Sequence, residues 1–445
     1  MSYWSRIPAE LQHEITAYNA DDMDTLRALC LASKTTRPFA ITHLFSVIRF
    51  SCVEDFAWWI EMLGRTPVLT SIVKQVKILG NDVPRRLNRS RRRILPTVTK
   101  LSGNQIIPAF PHLPHVHSVE YNGPGILDIA VQSAPLFPRM HKLQLVNIAF
   151  PSFHRLTELV GSCGLLTWLA FDTVRVESLE PESPHQVPNL TGLTQLFVKN
   201  CQSQLDKWIL RLIALYQPLG LRTLVLERPD KTSACIVTTA KKLLRLCTSS
   251  LVNLTLDSIF MHTGTYGALH GSFDLLLRLP VFTALDSLTI WLSYRAAHVI
   301  GQIQGPAPKL TRLSFRFPLY KPEYERNLEA FDTLLESVLP QNTSQSLKIS
   351  ISKKFPLCRR IAFHFCAPRD SELHYRRGMR RQMEWRLIHR LEVTAGSDIE
   401  KYLQIEWLDE DFRPIVYRDN GKPPWTATWF THCYPEPETE ASDVE

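Results

Sequence analysis

The nine residues Leu193-Thr-Gln-Leu196-Phe-Val198-Lys-Asn-Cys201 set the frame for most of this chain: Leu-x-x-Leu-x-Val, with a cysteine three places on. The same six-residue frame recurs at Met140–Leu145, Leu166–Phe171, Leu221–Leu226, Leu251–Leu256, Leu285–Ile290 and Leu310–Phe315, with weaker copies at Val73–Ile78, Val116–Tyr121 and Ser344–Ile349. From Met140 onward the copies begin 26, 27, 28, 30, 34, 25 and 34 residues apart. Self-similarity at such a period marks a stacked-repeat architecture. Within the frame the fourth and sixth residues alternate inward along a short strand, and the first packs at its edge. One copy cannot bury that edge alone, so neighbours must stack.

Amphipathic segments separate the frames. Leu205–Tyr216 is the clearest, and Phe153–Val160, Ala234–Leu246 and Phe273–Leu279 behave likewise. Strand, turn, helix, turn within one period predicts an α/β leucine-rich-repeat solenoid, a curved parallel sheet with helices on the convex side. The asparagine or cysteine that usually follows such a strand occurs only as Cys201. Val174, Pro229, Ile259, Ser293 and Pro318 take its place elsewhere, which predicts irregular turns.

The 445 residues carry a net charge of +8, unevenly placed. Eleven Lys/Arg against three acids lie between Lys353 and Arg390, and six arginines against one acid between Asp82 and Arg93. Those two surpluses, eight and five, leave the remainder five negative, so uniform attraction to nucleic acid does not follow. The Asp82–Arg93 stretch reads as a solvated loop. No run of 18 apolar residues occurs and the first residues lack an apolar signal core, so the expectation is a cytoplasmic or nuclear protein spanning no membrane. Nine cysteines without Cys-x-x-Cys read as reduced thiols. His112, His115 and His117 are interrupted by Pro111 and Pro114, and keep no metal-ligand spacing. No phosphate-loop, nucleophile-elbow or zinc-protease motif is present. The expectation is a non-enzyme with no cofactor and no metal.

Residues 1–45 read as three short helices. Pro8 suits a first turn, with Leu11 and Ile15 one turn apart. Asp24 is placed to cap the second helix, and Thr36 the third, with Pro38 in its first turn. A helix over Val53–Leu63 follows, then the first frame. Forty residues bury little core alone, so this unit needs a partner or the repeats.

Ile7-Pro8-Ala9-Glu10-Leu11-x-x-x-Ile15, Leu26-Arg-Ala-Leu-Cys-Leu31-Ala-Ser33-Lys-Thr-Thr-Arg37-Pro38 and His43-Leu44-Phe45 together resemble the F-box of fungal F-box/leucine-rich-repeat proteins. The resemblance covers about the first fifty residues in detail, and the repeats extend it. It implies a substrate receptor of a Skp–cullin–F-box ubiquitin ligase: Pro8, Leu11, Ile15 and Leu31 grip the Skp adaptor, and the repeats hold a protein substrate. One departure is Thr36, where the family usually has tryptophan. The competing reading is a leucine-rich-repeat interaction scaffold unrelated to ubiquitin.

The divisions expected are 1–50, an F-box-like helical unit; 51–351, the solenoid; 352–433, an irregular α+β cap; and 434–445, an acidic tail without fixed structure. The cap region includes strand-like Ile361–Phe365 and Tyr402–Trp407. In the solenoid the third, fifth and seventh residues of each frame face outward along the concave side. Most are small or polar; Trp168, Phe197 and Trp291 are not. Glu227 and Asp257 fall in one column of consecutive frames. The expected substrate site is therefore Trp168, Phe197, Trp291, Glu227 and Asp257, reading an apolar anchor followed by a basic residue.

Overall fold

The structure is a computed structural model. It describes residues 7–20, 22–80, 110–177, 190–201, 205, 209, 220–227, 242–257, 282–291, 309–318, 357–358, 360–366 and 403–408. The chain divides into two compact units: residues 1–221 with 228–246, and residues 222–227 with 247–445. Both are α/β or β runs of parallel strands, consistent with a repeat solenoid.

The first unit opens with α1 (Ala9–Tyr18), α2 (Met23–Ala32) and α3 (Arg37–Leu44). Pro8 stands one residue outside α1, in extended backbone, and its carbonyl accepts the Gln12 N–H at 3.0 Å. Asp22, not Asp24, caps α2, accepting the N–H groups of Asp24 and Thr25 at 3.1 Å each. Leu26, Leu29 and Ala40 are the buried core of this bundle, with Cys30 and Leu44 packed at its margin. That is little apolar area, as the length of the segment requires.

The strands follow at once. β1 (Val47–Phe50) lies within the residues expected to be helical unit only, yet it pairs in parallel with β2 (Gln75–Leu79). Between them run α4 (Val53–Arg65) and α5 (Val68–Ile72). β3 (Ser118–Asn122), β4 (Lys142–Val146), β6 (Trp168–Asp172) and β8 (Gln195–Lys199) continue the parallel order. Register keeps every frame position aligned: Leu143, Leu169 and Leu196 form one buried row, and Leu145, Phe171 and Val198 the next. The fourth and sixth residues are therefore the inward ones, as the alternation predicts. Helix Phe153–Gly161 turns Phe153, Leu156, Leu159 and Val160 toward the interior. Leu205 and Ile209, one helical turn apart, are helical and buried too. The Tyr121 hydroxyl shares a hydrogen bond with Ser133 Oγ at 2.7 Å in the fully buried core, tying β3 to helix Leu127–Ser133.

Most of the described strands start on the same device. The carbonyl of the second frame residue accepts two N–H groups from the next frame: His117 O from His141 and Lys142, His141 O from Thr167 and Trp168, Thr167 O from Thr194 and Gln195. The second unit repeats it at Arg222, Val252 and Asp286. Slanted parallel pairing begins from these forked bonds.

The strand ends correct an expectation. In the described part of the first unit the turns are regular despite the missing asparagine or cysteine. The eighth frame residue, Gly80, Gly123, Asn147 or Thr173, donates its N–H to the seventh-residue carbonyl of the following frame, at 2.6 to 2.9 Å. Asn147, Thr173 and Asn200 hold φ of 52°, 57° and 52°. Asparagine tolerates this left-handed conformation, whereas a β-branched threonine is strained there. Thr173 is held by its hydroxyl bond to Asp172 Oδ1 at 3.0 Å, and Asn200 Nδ2 donates to the same oxygen at 3.0 Å. The ninth residue is buried by apolarity instead of by a side-chain ladder: Ile148, Val174 and Cys201 are all under 5 % exposed. β5 (Ala149–Phe150) and β7 (Arg175–Val176) then pair beside them. Gly123, at φ 116°, lets its backbone pass Gly80 so closely that a Cβ would sit 2.9 Å from the Gly80 Cα.

In the second unit β9 (Thr223–Glu227), β10 (Asn253–Asp257), β11 (Ser287–Trp291), β12 (Arg312–Pro318), β13 (Arg360–Cys366) and β14 (Leu403–Leu408) pair in that order, all parallel. Leu224, Leu254, Leu288 and Leu313 make its buried row. The parallel succession thus runs on through β13 and β14, in residues expected to form an irregular cap. The frame copy at Ser344–Ile349, the amphipathic segment Phe273–Leu279, the arginine-rich stretch Asp82–Arg93, most of the basic stretch Lys353–Arg390 and the acidic tail lie outside the described residues. Among the described residues no helix is long and apolar enough to cross a membrane. Burial pushes the Cys163 thiol up to about 11 and the Cys247 thiol to about 12, so both are unreactive.

Candidate functional site

Three places carry the residues singled out by sequence, and they differ in what the fold does with them.

The first is the helical bundle. Leu31 is 84 % exposed and Leu11 49 %, with Pro8 exposed and Ile15 half-buried. Tyr18 and Met23 add further exposed apolar surface. A three-helix unit with so small a core would gain by burying these side chains, so their exposure marks a face that lacks a cover among the described residues. Thr36 is fully buried. Its hydroxyl donates to Leu29 O at 2.9 Å, and Arg37 Nε donates to Cys30 O at 3.0 Å. The threonine therefore joins the end of α2 to the start of α3 by a hydrogen bond, where the resemblance leads one to expect an aromatic ring.

The second is the outward face of the first unit. Trp168 stands third in its frame on β6, and Phe197 fifth on β8. Their strands pair so that Trp168 opposes Gln195 and Phe197 opposes Ala170. The rings meet diagonally, centroids 5.0 Å apart and tilted 40°, beside the small Ala170. Both are half-buried and open on one side. In the next strand Lys142 is exposed, in register with Trp168. The acids of this face are engaged: Glu120 with Lys77, and Asp172 with Thr173, Asn200 and, at 3.9 Å, Lys199.

Beside Lys142 lies a feature not selected from the sequence. His117 and His141 occupy the second place of consecutive frames, and their rings stack at 4.9 Å, tilted 30°. His117 Nδ1 is buried without a hydrogen-bond partner. Its imidazole is held below the usual histidine range by burial first, then by His141, Lys142 and Lys74. Aligning the frames would have found the pair, since 117 and 141 hold the same place in each. His112 and His115 are exposed and do not join it.

The third place, in the second unit, overturns part of the expected site. Trp291 is 2 % exposed, not an open ring. The Arg316 guanidinium lies 5.5 Å from the centre of the indole. The same group pairs with Glu227 at 2.9 Å, and Glu227 is itself 5 % exposed. The carboxylate expected to greet a basic substrate residue is thus already neutralised inside the protein. Asp257 belongs to β10 next in order, its side chain outside the described residues. A long arginine two strands beyond the frame of Glu227's neighbour gives no sequence signal of where its fork will land. Of the five residues expected to form one site, the structure brings together Trp168 and Phe197 in one unit, and closes Glu227 and Trp291 in the other.

No protein-family model matches the sequence, and no curated protein matches it. Among solved structures the chain is similar to one described as "Crystal structure of Rad7 and Elc1 complex in yeast", at 13 % identity and a TM-score of 0.34, covering 83 % of this chain and 92 % of that one. A likeness at that level carries no functional argument.

Proposed function

We propose that this protein is a substrate-recognition adaptor of a Skp–cullin–F-box ubiquitin ligase, with no chemistry of its own. The N-terminal helices take the Skp-type adaptor, and the leucine-rich-repeat face of the first unit takes a protein substrate. The observation that carries this reading is the three-helix bundle: a minimal core of Leu26, Leu29 and Ala40 beside outward-facing Leu11 and Leu31. Such a bundle is built to be completed by a partner, and its sequence resembles an F-box. Catalysis would come from proximity, since a substrate held beside the ligase meets the charged ubiquitin carrier at high effective concentration.

The test is co-purification of the full chain with a Skp-type adaptor at micromolar concentration. The wild type is expected to hold it. Leu11→Asp with Leu31→Asp, both at exposed positions and so harmless to the core, is expected to release it while leaving the circular dichroism unchanged. A wild-type chain that fails to hold the adaptor would overturn the reading and favour a scaffold whose helices only cap the repeats.

A further inference from the structure

The charge left unpaired on the first unit differs in sign from the acidic step expected at Glu227 and Asp257. Glu227 and Asp257 pointed to a basic ligand, but Glu227 is spent inside the second unit. Near the Trp168–Phe197 pair the charges without a partner among the described residues are basic. Lys142 is exposed one strand away, in register with Trp168. His141 and His117 stack behind it, and Lys74 is exposed one frame further on, close enough to act on His117. Neither lysine has an acidic partner among the described residues, while the two nearby acids, Glu120 and Asp172, have theirs. The row therefore holds two exposed lysines, Lys142 and Lys74, without acidic partners among the described residues, and Lys142 leads up to an open aromatic patch.

We propose that Trp168 and Phe197, with the exposed Lys142 and Lys74, bind an extended acidic protein segment that carries one large apolar side chain. This deepens the adaptor reading by giving its substrate a chemistry. The apolar side chain covers the two rings, and the acids follow the row across the strand starts. Strand spacing sets where those acids stand. Neighbouring parallel strands are about 4.8 Å apart and an extended segment rises about 3.3 Å per residue. β4 and β2, which begin at Lys142 and just after Lys74, lie one and three strands from β6, so acids belong about one to two and four to five residues to one side of the anchor. A single-stranded nucleic acid is the weaker fit: it wants successive stacking platforms, and here the two rings rest on each other, with Glu120 and Asp172 along the same face.

The experiment is selection of a random nonapeptide library on the full-length wild-type chain, with selection on Trp168→Ser and Lys142→Glu chains alongside and thermal unfolding to check that each is folded. The wild type is expected to enrich peptides with an aromatic or large aliphatic residue followed or preceded, on one side only, by Asp or Glu at the spacings above. Selected peptides are expected to bind Trp168→Ser about tenfold more weakly or worse, and Lys142→Glu is expected to lose the acidic preference at the position nearest the anchor. Enrichment of basic flanks, the same enrichment on Trp168→Ser, no enrichment at all, or displacement of the peptides by a dT12 oligonucleotide at equal concentration would each overturn the proposal. Co-purification with the Skp-type adaptor on the same preparations separates the two claims: a failed selection with the adaptor retained removes the ligand proposal alone, and a lost adaptor with selection intact removes the ligase reading alone.

Discussion

Two tryptophans that the repeat places on outward positions meet opposite fates. Trp168, in the first unit, leans on Phe197 and keeps an open side. Trp291, in the second, is 2 % exposed with the Arg316 guanidinium over its ring and Glu227 clamping the arginine. Period-two alternation names the face on which a side chain leaves the sheet; it says nothing of whether that face stays open. Openness is decided by what else can reach. Around Trp168 the register neighbours are Gln195 and Lys142, and the ring rests on Phe197 beside the small Ala170. Near Trp291 a long, planar cation finds both an aromatic face and a buried carboxylate, an arrangement arginine satisfies and lysine would not. One ring is enclosed by the protein's own side chains and the other keeps an open side.

The sharpest way to break this comparison is to truncate both rings. Trp291→Ala removes a buried ring and is expected to cost about 3–5 kcal/mol. Arg316→Ala strands the buried Glu227 and is expected to cost about 3 kcal/mol. Trp168→Ala, at a half-open position, is expected to cost about 1 kcal/mol, with its effect in ligand capture instead. Urea unfolding of the three variants checks the ranking, and equal losses at Trp168 and Trp291 would erase the distinction.

A smaller effect comes from pH. His43 is held below the usual histidine range by burial, then by His13 and Lys74; His117 is held down by burial, then by His141, Lys142 and Lys74. Their folded forms bind protons less readily than the unfolded chain does. Stability from them is complete above the ordinary histidine value of about 6.5 and falls as pH drops below it. In the second unit Asp286 is held below the carboxylate range by bonds from the Thr311 hydroxyl and Arg312. Its contribution persists until pH falls below about 3.9. Between pH 7.5 and 5 the amide protection factors, which are exchange rates corrected for their intrinsic pH dependence, are expected to fall first around α3 and β3, with those of β11 and β12 unchanged. Loss in the reverse order would contradict these assignments.

Much of the fold was legible because a repeat states its register many times. Seven strong copies of one frame agree on which apolar residues turn inward, and in each unit the described strands from β2 to β12 that carry a frame lie within or beside it. β1 was not legible, since Val47-Ile-Arg-Phe50 is four residues long and sits next to a helical pattern. The parallel pairing of β13 and β14 was not legible either, because their apolar alternation lacks the leading leucine of the frame. The turns after the strands were misjudged for a physical reason: a missing ladder side chain was replaced by a left-handed residue and a buried aliphatic, which leave no common letter. The site was half legible. Trp168 and Phe197 could be paired from strand order alone. The closure of Trp291 depended on where an arginine's fork points, and the basic row depended on the geometry of the strand starts.

The central claim is that one chain links two things, an adaptor on its helices and an acidic segment on its first unit. The most direct measurement is retention of a fluorescent selected nonapeptide on an immobilised Skp-type adaptor, through the full-length chain. Wild type is expected to retain both chain and peptide; Trp168→Ser is expected to retain the chain and lose the peptide; Leu11→Asp with Leu31→Asp is expected to lose both. Peptide retention that survives both variants, or a wild-type chain that retains neither, would contradict the account.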